Sequence, residues 1–269
     1  MRRIVLLTDF SETARNACFY ALEMFREHQA QFVLLNAYDI EFSGSPYIMQ
    51  VKEEMAEEST KGLKKELAAL HAEYPNARIE LASRFGPLID VILKELGDLK
   101  PDLFVLGCRG ESALENFLLG SNAYDVIKNI HHPMLVVPKI SQYQTPQKIV
   151  FATDLKSVNQ NVATPVLEVA RKFNSELLFA NVMGDDYINR LEEEERIAAL
   201  FPGIKTSFYF LEGEDVCSSI CNFADENQGE MIVLVRHNYS FFERLFHPSI
   251  TKHMVLHPEF PMLILHPKE

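Results

Sequence analysis

Short apolar runs alternate with amphipathic stretches along the first half of the chain. Each run, such as residues 4–7, ends at polar or glycine residues, which is typical of a buried parallel strand. The start of the second amphipathic stretch, around residues 47–58, is acidic and its boundary is left open. The runs predict strands at residues 4–7, 32–37, 77–83, 103–106 and 134–137. Four helices are predicted. The first follows a Ser11 cap and turns Ala17, Ala21, Met24 and Phe25 toward the core, and the second does the same with Leu63, Leu67 and Leu70. The third and fourth span residues 87–96 and 121–130.

The second half repeats this plan. Arg3-Ile-Val-Leu-Leu-Thr-Asp9 resembles Lys148-Ile-Val-Phe-Ala-Thr-Asp154, and residues 102–133 align with residues 230–261 without a gap. In this copy Pro165 leaves two starts open for the first helix: near Ser157 with a kink, or at Pro165 with Thr164 as its cap. Strands are predicted at residues 149–153, 176–182, 205–210, 231–235 and 262–265, with a short acidic helix at residues 191–200.

Alternating strands and helices predict an α/β fold with a doubly wound parallel sheet in each copy. The first domain spans residues 1–138 and the second spans residues 148–269. The polar segment 139–147 is the predicted linker.

Composition narrows the classes of function. The 269 residues are 47% hydrophobic, which excludes a disordered chain, and the 38 acidic and 26 basic side chains leave a net charge of -12. That charge argues against a nucleic-acid or anionic-membrane partner. No apolar run is long enough for a signal peptide or a membrane helix, and four cysteines do not form a disulfide framework. We therefore expect a cytoplasmic protein whose free cysteines are small core residues.

A glycine motif follows the fourth strand of the first copy only. The sequence reads Gly107-Cys-Arg-Gly110, nine further residues, then Gly120-Ser121. Such a loop lets backbone N–H groups approach a phosphate at the start of a helix, in the crevice where parallel sheets bind ligands. Asp9, after the first strand, should border the same crevice. Two questions stay open. The glycines either hold a phosphate or merely make turns, and Arg109 meets either a phosphate or solvent.

These features resemble the universal stress protein family in its tandem form. The resemblance rests on Thr8-Asp9-Phe10-Ser11, on the glycine motif, and on Pro133-Met-Leu-Val-Val137-Pro138. It implies two tandem flavodoxin-like (Rossmann-like) domains with strand order 3-2-1-4-5, and a role in the stress response. Members of this family divide into those that bind ATP through the glycine motif and those that lack it.

The resemblance also implies site residues and partners. Thr8, Asp9 and Ala37 would face the adenosine of ATP, bound with or without Mg²⁺. The fifth strands, from Met134 to Val137 and from Met262 to Leu265, would pair as a pseudo-dimer, and a further homodimer is left open. The phosphates would be held by Gly107, Gly110, Gly120 and Ser121. Arg109, within the loop, and Asn122, next to Ser121, are further candidates for this side of the site.

The second copy departs from the motif. Val235, Asn238 and Pro248 replace the three glycines, while Asp154 and Ser249 match. We expect a degenerate partner that is structural or regulatory, or one that takes a different ligand. Three aromatic residues in its corresponding loop either fill the crevice or form a partner-binding patch: Phe241, Phe242 and Phe246.

Three functions are compatible with these features. The first is an ATP-binding regulatory protein with one nucleotide per chain. The second is a nucleotide-free module that binds an unidentified protein, and the third is an ATP-hydrolysing or phosphotransfer enzyme, which nothing in the sequence requires. No catalytic set is predicted. His253 and His257 have a metal-ligand spacing with His247 nearby, but no further ligand completes a metal motif.

Overall fold

The computed structural model describes residues 2–26, 30–40, 48–108, 121–153, 155–182, 190–213, 216–235 and 260–266. These described residues form two compact units, one ending at Tyr143 and one beginning at Gln144. Within each unit the described strands run parallel, and the core consists of aliphatic and phenylalanine side chains.

The sheet of the first unit has five parallel strands in the order β3-β2-β1-β4-β5. In its centre Leu6 of β1 aligns with Leu34 of β2 on one side and with Val105 of β4 on the other. The predicted α/β class and strand order are therefore confirmed. The strands are β1 (Arg3–Leu7), β2 (Gln31–Tyr38), β3 (Arg78–Phe85), β4 (Leu103–Cys108) and β5 (Met134–Pro138).

Four helices pack on this sheet: α1 (Glu12–Met24), α2 (Ile48–Glu73), α3 (Leu88–Asp98) and α4 (Ser121–Asn129). The predicted cap is confirmed, because the Ser11 hydroxyl accepts a hydrogen bond from the Ala14 N–H at 3.2 Å. The acidic stretch whose boundary was open is helical from Ile48, so α2 runs for 26 residues.

The second unit repeats the order as β8-β7-β6-β9-β10. Its predicted short acidic helix is present, with 11 residues where α2 has 26. The strands are β6 (Lys148–Ala152), β7 (Glu176–Val182), β8 (Thr206–Leu211), β9 (Met231–Val235) and β10 (Met262–Leu265). The helices are α5 (Gln160–Phe173), α6 (Arg190–Leu200) and α7 (Val216–Glu226).

Helix α5 begins at Gln160, three residues after Ser157 and with Pro165 inside, so it is close to the first predicted start and the start at Pro165 is wrong. Asn159 caps it, accepting hydrogen bonds from two backbone N–H groups of the first turn, and Pro165 lies inside the helix. Thr164 is not the cap, since its hydroxyl donates to the Gln160 carbonyl at 2.7 Å. A good side-chain cap before Gln160 therefore decides the start, and the proline is tolerated within the helix.

The segment that follows β5 packs on the first unit. Asn16 of α1 donates from its side-chain amide to the carbonyls of Pro138 and Ser141, at 3.0 and 2.9 Å. The ring of Tyr143 meets the ring of Tyr20 edge-on, with centroids 5.2 Å apart. The first half of the predicted linker is thus held by α1.

The four cysteines are free thiols inside the two cores, as expected. Burial raises the pKa of the Cys108 thiol to about 12 and raises the pKa of Cys18 further. Cys217 and Cys221 share the buried face of α7. All four are buried, whereas a reactive cysteine is typically exposed.

Candidate functional site

The carboxyl ends of β1, β2 and β4 meet at one edge of the first sheet. The Thr8 N–H donates to the Leu35 carbonyl at 2.9 Å and so continues the ladder past the end of β1. The continued register places Thr8 between Asn36 and Gly107. Two of the predicted site residues, from sequence positions 99 residues apart, therefore lie side by side on adjacent strands.

The loop from β1 to α1 presents an exposed carboxylate at this edge. Asp9 is exposed, and one of its oxygens accepts a hydrogen bond from the Ser11 N–H at 3.0 Å. The Thr8 hydroxyl accepts one from the Phe10 N–H, also at 3.0 Å. Ala37, next to Asp9 in the continued register, is half-buried. The loop is thus bonded internally while the Asp9 carboxylate faces solvent, free to accept further donors.

Phe10 adopts a left-handed backbone conformation, with φ at 66°. For a residue with a β-carbon this conformation costs about 1 kcal/mol or more, so the surroundings must hold it. Its ring packs on Gly62 of α2, where a β-carbon would lie 2.6 Å from the ring. This contact was not predicted from the sequence. Its one signal was an isolated glycine in the middle of a long helix, where glycine is unfavourable.

A buried chain of hydrogen bonds lies beneath the loop. Asn36 donates from Nδ2 to the Thr8 carbonyl at 2.8 Å, and the Ser59 hydroxyl donates to Asn36 Oδ1 at 2.7 Å. The Ser59 and Ser83 hydroxyls are 2.8 Å apart. A hydroxyl has one proton to donate, so Ser83 is the donor to Ser59. The chain joins three strands to α2, and its one sequence signal was a lone polar residue in the apolar run of β2.

The first glycine of the motif is required by packing. A β-carbon on Gly107 would lie 2.6 Å from the backbone carbonyl oxygen of Thr13, in the first turn of α1. Backbone atoms cannot rotate away as a side chain can, so this close approach needs glycine. Gly107 therefore sets how near α1 comes to the end of β4.

The phosphate side of the predicted site lies mainly outside the described residues: Arg109, Gly110 and Gly120 belong to that segment. Helix α4 begins at Ser121, in agreement with the predicted helix, and Asn122 is exposed in its first turn. The structure thus brings together Thr8, Asp9, Ala37 and Gly107.

The second unit repeats the scaffold of this edge. The Thr153 hydroxyl accepts from the Leu155 N–H at 3.1 Å, and Leu155 is left-handed with φ at 64°. Asn181 donates to the Thr153 carbonyl at 2.9 Å, as Asn36 does to Thr8. Each of these residues lies 145 positions after its counterpart, so the repeat holds at the level of single hydrogen bonds.

The surroundings of that scaffold differ between the units. Arg196 of α6 donates to the carbonyls of Leu155 and Val158, at 2.9 and 2.7 Å, and pairs with Glu193. At the end of β9, Val235 is buried where the first unit has glycine. Because α5 is capped at Asn159, it begins three residues later than the alignment of Glu12 with Ser157 would place it. The two units therefore differ both in the residue at the end of the fourth strand and in the start of the first helix.

Most of the other candidates in this half lie outside the described residues. These are Asp154, Asn238, Phe241, Phe242, Phe246, His247, Pro248, Ser249, His253 and His257.

The described ranges lack two kinds of feature. They contain no group of three or more His, Cys, Asp or Glu side chains placed to hold a metal ion. They also contain no helix with the length and apolar character needed to cross a membrane.

Comparison with known proteins gives consistent matches. Residues 1–138 match the sequence profile of the universal stress protein family. A universal stress protein of Methanocaldococcus jannaschii is 32% identical over 145 residues, covering 51% of this chain and 82% of that protein. The crystal structure of a universal stress protein from Archaeoglobus fulgidus has a TM-score of 0.74 at 17% identity and covers 99% of this chain and 98% of that chain. A protein of unknown function from Pseudomonas aeruginosa has a TM-score of 0.58 at 14% identity, covering 99% and 93%.

Proposed function

The chain belongs to the universal stress protein family, and on this premise we propose that its first unit binds ATP as a regulatory ligand. One nucleotide binds per chain. Occupancy stabilises one conformation of the unit and so alters its affinity for a protein partner in the stress response.

The observation that carries this proposal is the geometry at the edge of the first sheet. The exposed Asp9 carboxylate stands beside the half-buried Ala37 and Gly107, at the end of parallel strands where such folds bind ligands. A carboxylate accepts hydrogen bonds from ribose hydroxyls or an adenine amino group. Thr8, Asp9 and Ala37 therefore form the nucleoside side of the proposed site.

The phosphate side follows from the glycine motif and the start of α4. The N-terminus of a helix favours negative charge, and α4 begins at Ser121. The backbone of the motif would donate to the phosphates, with Arg109 supplying positive charge and Mg²⁺ bound to the triphosphate where present. The residues assigned to this side are Gly107, Arg109, Gly110, Gly120, Ser121 and Asn122.

The second unit is proposed to bind no nucleotide. Its scaffold resembles that of the first, but Val235 stands at the first glycine position and Arg196 is bonded to the loop carbonyls. A structural or regulatory role fits these changes.

The nucleotide test uses two valine substitutions. Gly120→Val places a branched side chain in the proposed phosphate loop, whereas Gly97→Val adds one in α3, where a β-carbon meets nothing within 4 Å. We expect ATP affinity to fall at least tenfold in Gly120→Val and to stay within twofold in Gly97→Val, as measured by calorimetry. Circular dichroism checks that both variants fold. Equal affinities of Gly120→Val and the unchanged protein would overturn the proposal.

A nucleotide-free protein-interaction module is the second candidate. Exposed apolar side chains lie at the start of α2 and the end of β3, where Met49, Val51 and Phe85 are accessible and Lys52 lies 4.1 Å from the Phe85 ring centroid. A purified protein that carries no nucleotide and shows no thermal shift with ATP and Mg²⁺ would favour this candidate. An ATP-hydrolysing enzyme is the third, and product formation above that of an Asp9→Ala variant would favour it.

Three further proposals rest on the composition, on the internal repeat and on the family resemblance, respectively. The protein is cytoplasmic, its domains span residues 1–138 and 148–269 around the 139–147 linker, and the strand from Met134 to Val137 pairs with the strand from Met262 to Leu265. Slow amide hydrogen exchange at both strands would support this pairing, since an unpaired edge exchanges quickly. Light scattering of the full chain tests for a further homodimer.

A further inference from the structure

One face of α2 contacts the segment that carries Asp9 at three successive turns. Ser59 reaches the Thr8 carbonyl through Asn36, and Gly62 supports the Phe10 ring. One turn later, Glu66 forms a two-pronged ion pair with Arg15 of α1. Spacings of three and four residues place Ser59, Gly62 and Glu66 on the same side of the helix. The loop and the first turns of α1 are thus held against α2.

The hydrogen bond from Asn36 acts on the peptide group that precedes Asp9. The Thr8 carbonyl and the Asp9 N–H belong to one rigid plane, so a bond to that carbonyl fixes the plane's orientation. The plane in turn sets the direction in which the Asp9 side chain leaves the backbone. Thr8 and Asn36 are both buried, so no water replaces this bond without rearrangement of the core.

The orientation of the Asn36 side chain is itself determined. The Ser59 hydroxyl accepts a hydrogen bond from Ser83 and donates one to Asn36 Oδ1, which leaves Nδ2 to face the Thr8 carbonyl. Without Ser59 either end of the amide could face Thr8, and the oxygen end would repel its carbonyl.

We propose that Asn36 is a positioning residue for the nucleoside end of the ATP site, oriented by Ser59 of α2. The inference rests on the proposed function, since the positioned group is the Asp9 carboxylate that would meet the nucleoside. Asn36 does not touch the ligand itself. It holds the Thr8–Asp9 peptide in the conformation that ligand binding requires.

The second unit provides a matched control within the same chain. Asn181 makes the same bond to Thr153, at 2.9 Å, below a loop with the same left-handed residue. The proposed nucleotide site is in the first unit only. Loss of the bond at Asn181 should therefore affect that unit's stability without affecting nucleotide binding.

The experiment compares Asn36→Leu with Asn181→Leu in the full chain, using two probes. ATP contacts both ends of the proposed site, whereas inorganic tripolyphosphate contacts only the phosphate end. We expect Asn36→Leu to weaken ATP about tenfold, consistent with loss of about one buried hydrogen bond, and to change tripolyphosphate binding less than twofold. Asn181→Leu should leave both affinities within twofold. Ser59→Ala should weaken ATP by a smaller factor, about threefold.

Hydrogen exchange in the ligand-free protein gives an independent readout. Asn36→Leu should speed exchange of the Phe10 and Ser11 amides at least tenfold, and Asn181→Leu should not. Equal losses of ATP and tripolyphosphate affinity in Asn36→Leu, or unchanged exchange at Phe10 and Ser11, would overturn the positioning role. If the unchanged protein binds no ATP, the proposed function fails, and the exchange comparison still decides whether Asn36 holds the loop.

Discussion

Gly107 and Thr13 are packed so closely that a β-carbon on residue 107 would lie 2.6 Å from the Thr13 carbonyl oxygen. A glycine that was predicted to approach a phosphate thus also lets the first turn of α1 approach β4. Both the predicted phosphate role and the packing role require a residue without a β-carbon. The structure shows the packing role without any ligand.

Gly107→Ala should therefore destabilise the first unit. The added carbon meets backbone, so the strand or α1 must shift, and we expect a loss of about 2–3 kcal/mol in the free energy of unfolding. Urea denaturation measures it. Gly97→Ala is the control: its β-carbon meets nothing within 4 Å, and a helical alanine should change stability by at most about 1 kcal/mol, in the favourable direction. Equal stabilities of the two variants would contradict this packing role of Gly107.

Glu66→Gln should lower the free energy of unfolding because it weakens the ion pair with Arg15. Both carboxylate oxygens of the buried Glu66 accept from the Arg15 guanidinium at 2.7 Å, and this pairing raises the pKa of Arg15. Removing the charge of Glu66 leaves Arg15 with a weaker partner, but Arg15 is partly exposed, so we expect about 2 kcal/mol rather than the larger cost of a fully buried pair. Glu194→Gln, which breaks a more exposed pair with Arg190, should cost at most about 0.5 kcal/mol. Chemical denaturation compares the two, and a larger loss for Glu194→Gln would contradict the assignment.

The thiols should resist alkylation in the folded protein. Burial raises the pKa values of Cys18 and Cys108, so neither forms a thiolate near neutral pH. With iodoacetamide at pH 8, mass spectrometry should find little labelling of the native protein, and four labels after unfolding in guanidinium. Rapid native labelling at Cys108 would show that the end of β4 opens readily.

The stability of the second unit should depend on pH through Glu176. A hydrogen bond from Lys205 is the main cause that lowers the pKa of this carboxyl, and Ser207 adds to it against the cost of burial. Since the folded pKa lies below the unfolded value, the stabilisation is present above the unfolded pKa and is lost as pH falls through the folded pKa.

Glu176→Gln should therefore be less stable than the unchanged protein at pH 7, by about 0.5–1 kcal/mol. The difference should shrink as the pH falls below the ordinary glutamate pKa of about 4.3. Thermal unfolding across this range measures it. Lys205→Met should reproduce the trend, and a difference that does not change with pH would rule out the ion pair as its source.

Local patterns predicted the sheet because buried parallel strands are short apolar runs. The Ser11 cap was predictable for the same reason, since it depends on neighbours three residues away. Asn36 was not, because its partners Thr8 and Ser59 lie 28 and 23 residues away along the chain. The left-handed conformation of Phe10 is likewise hidden, since a ring contact with α2 stabilises what sequence preference disfavours.

The start of α5 limits how far substitutions could make the loop of the second unit resemble that of the first. Glycines at positions 235, 238 and 248 would give the second unit the glycine motif in its sequence. They would not move the helix start from Gln160, nor release the loop carbonyls from Arg196. The second unit thus differs from the first unit in its backbone as well as in its side chains, and we expect these three substitutions not to give it the proposed nucleotide site.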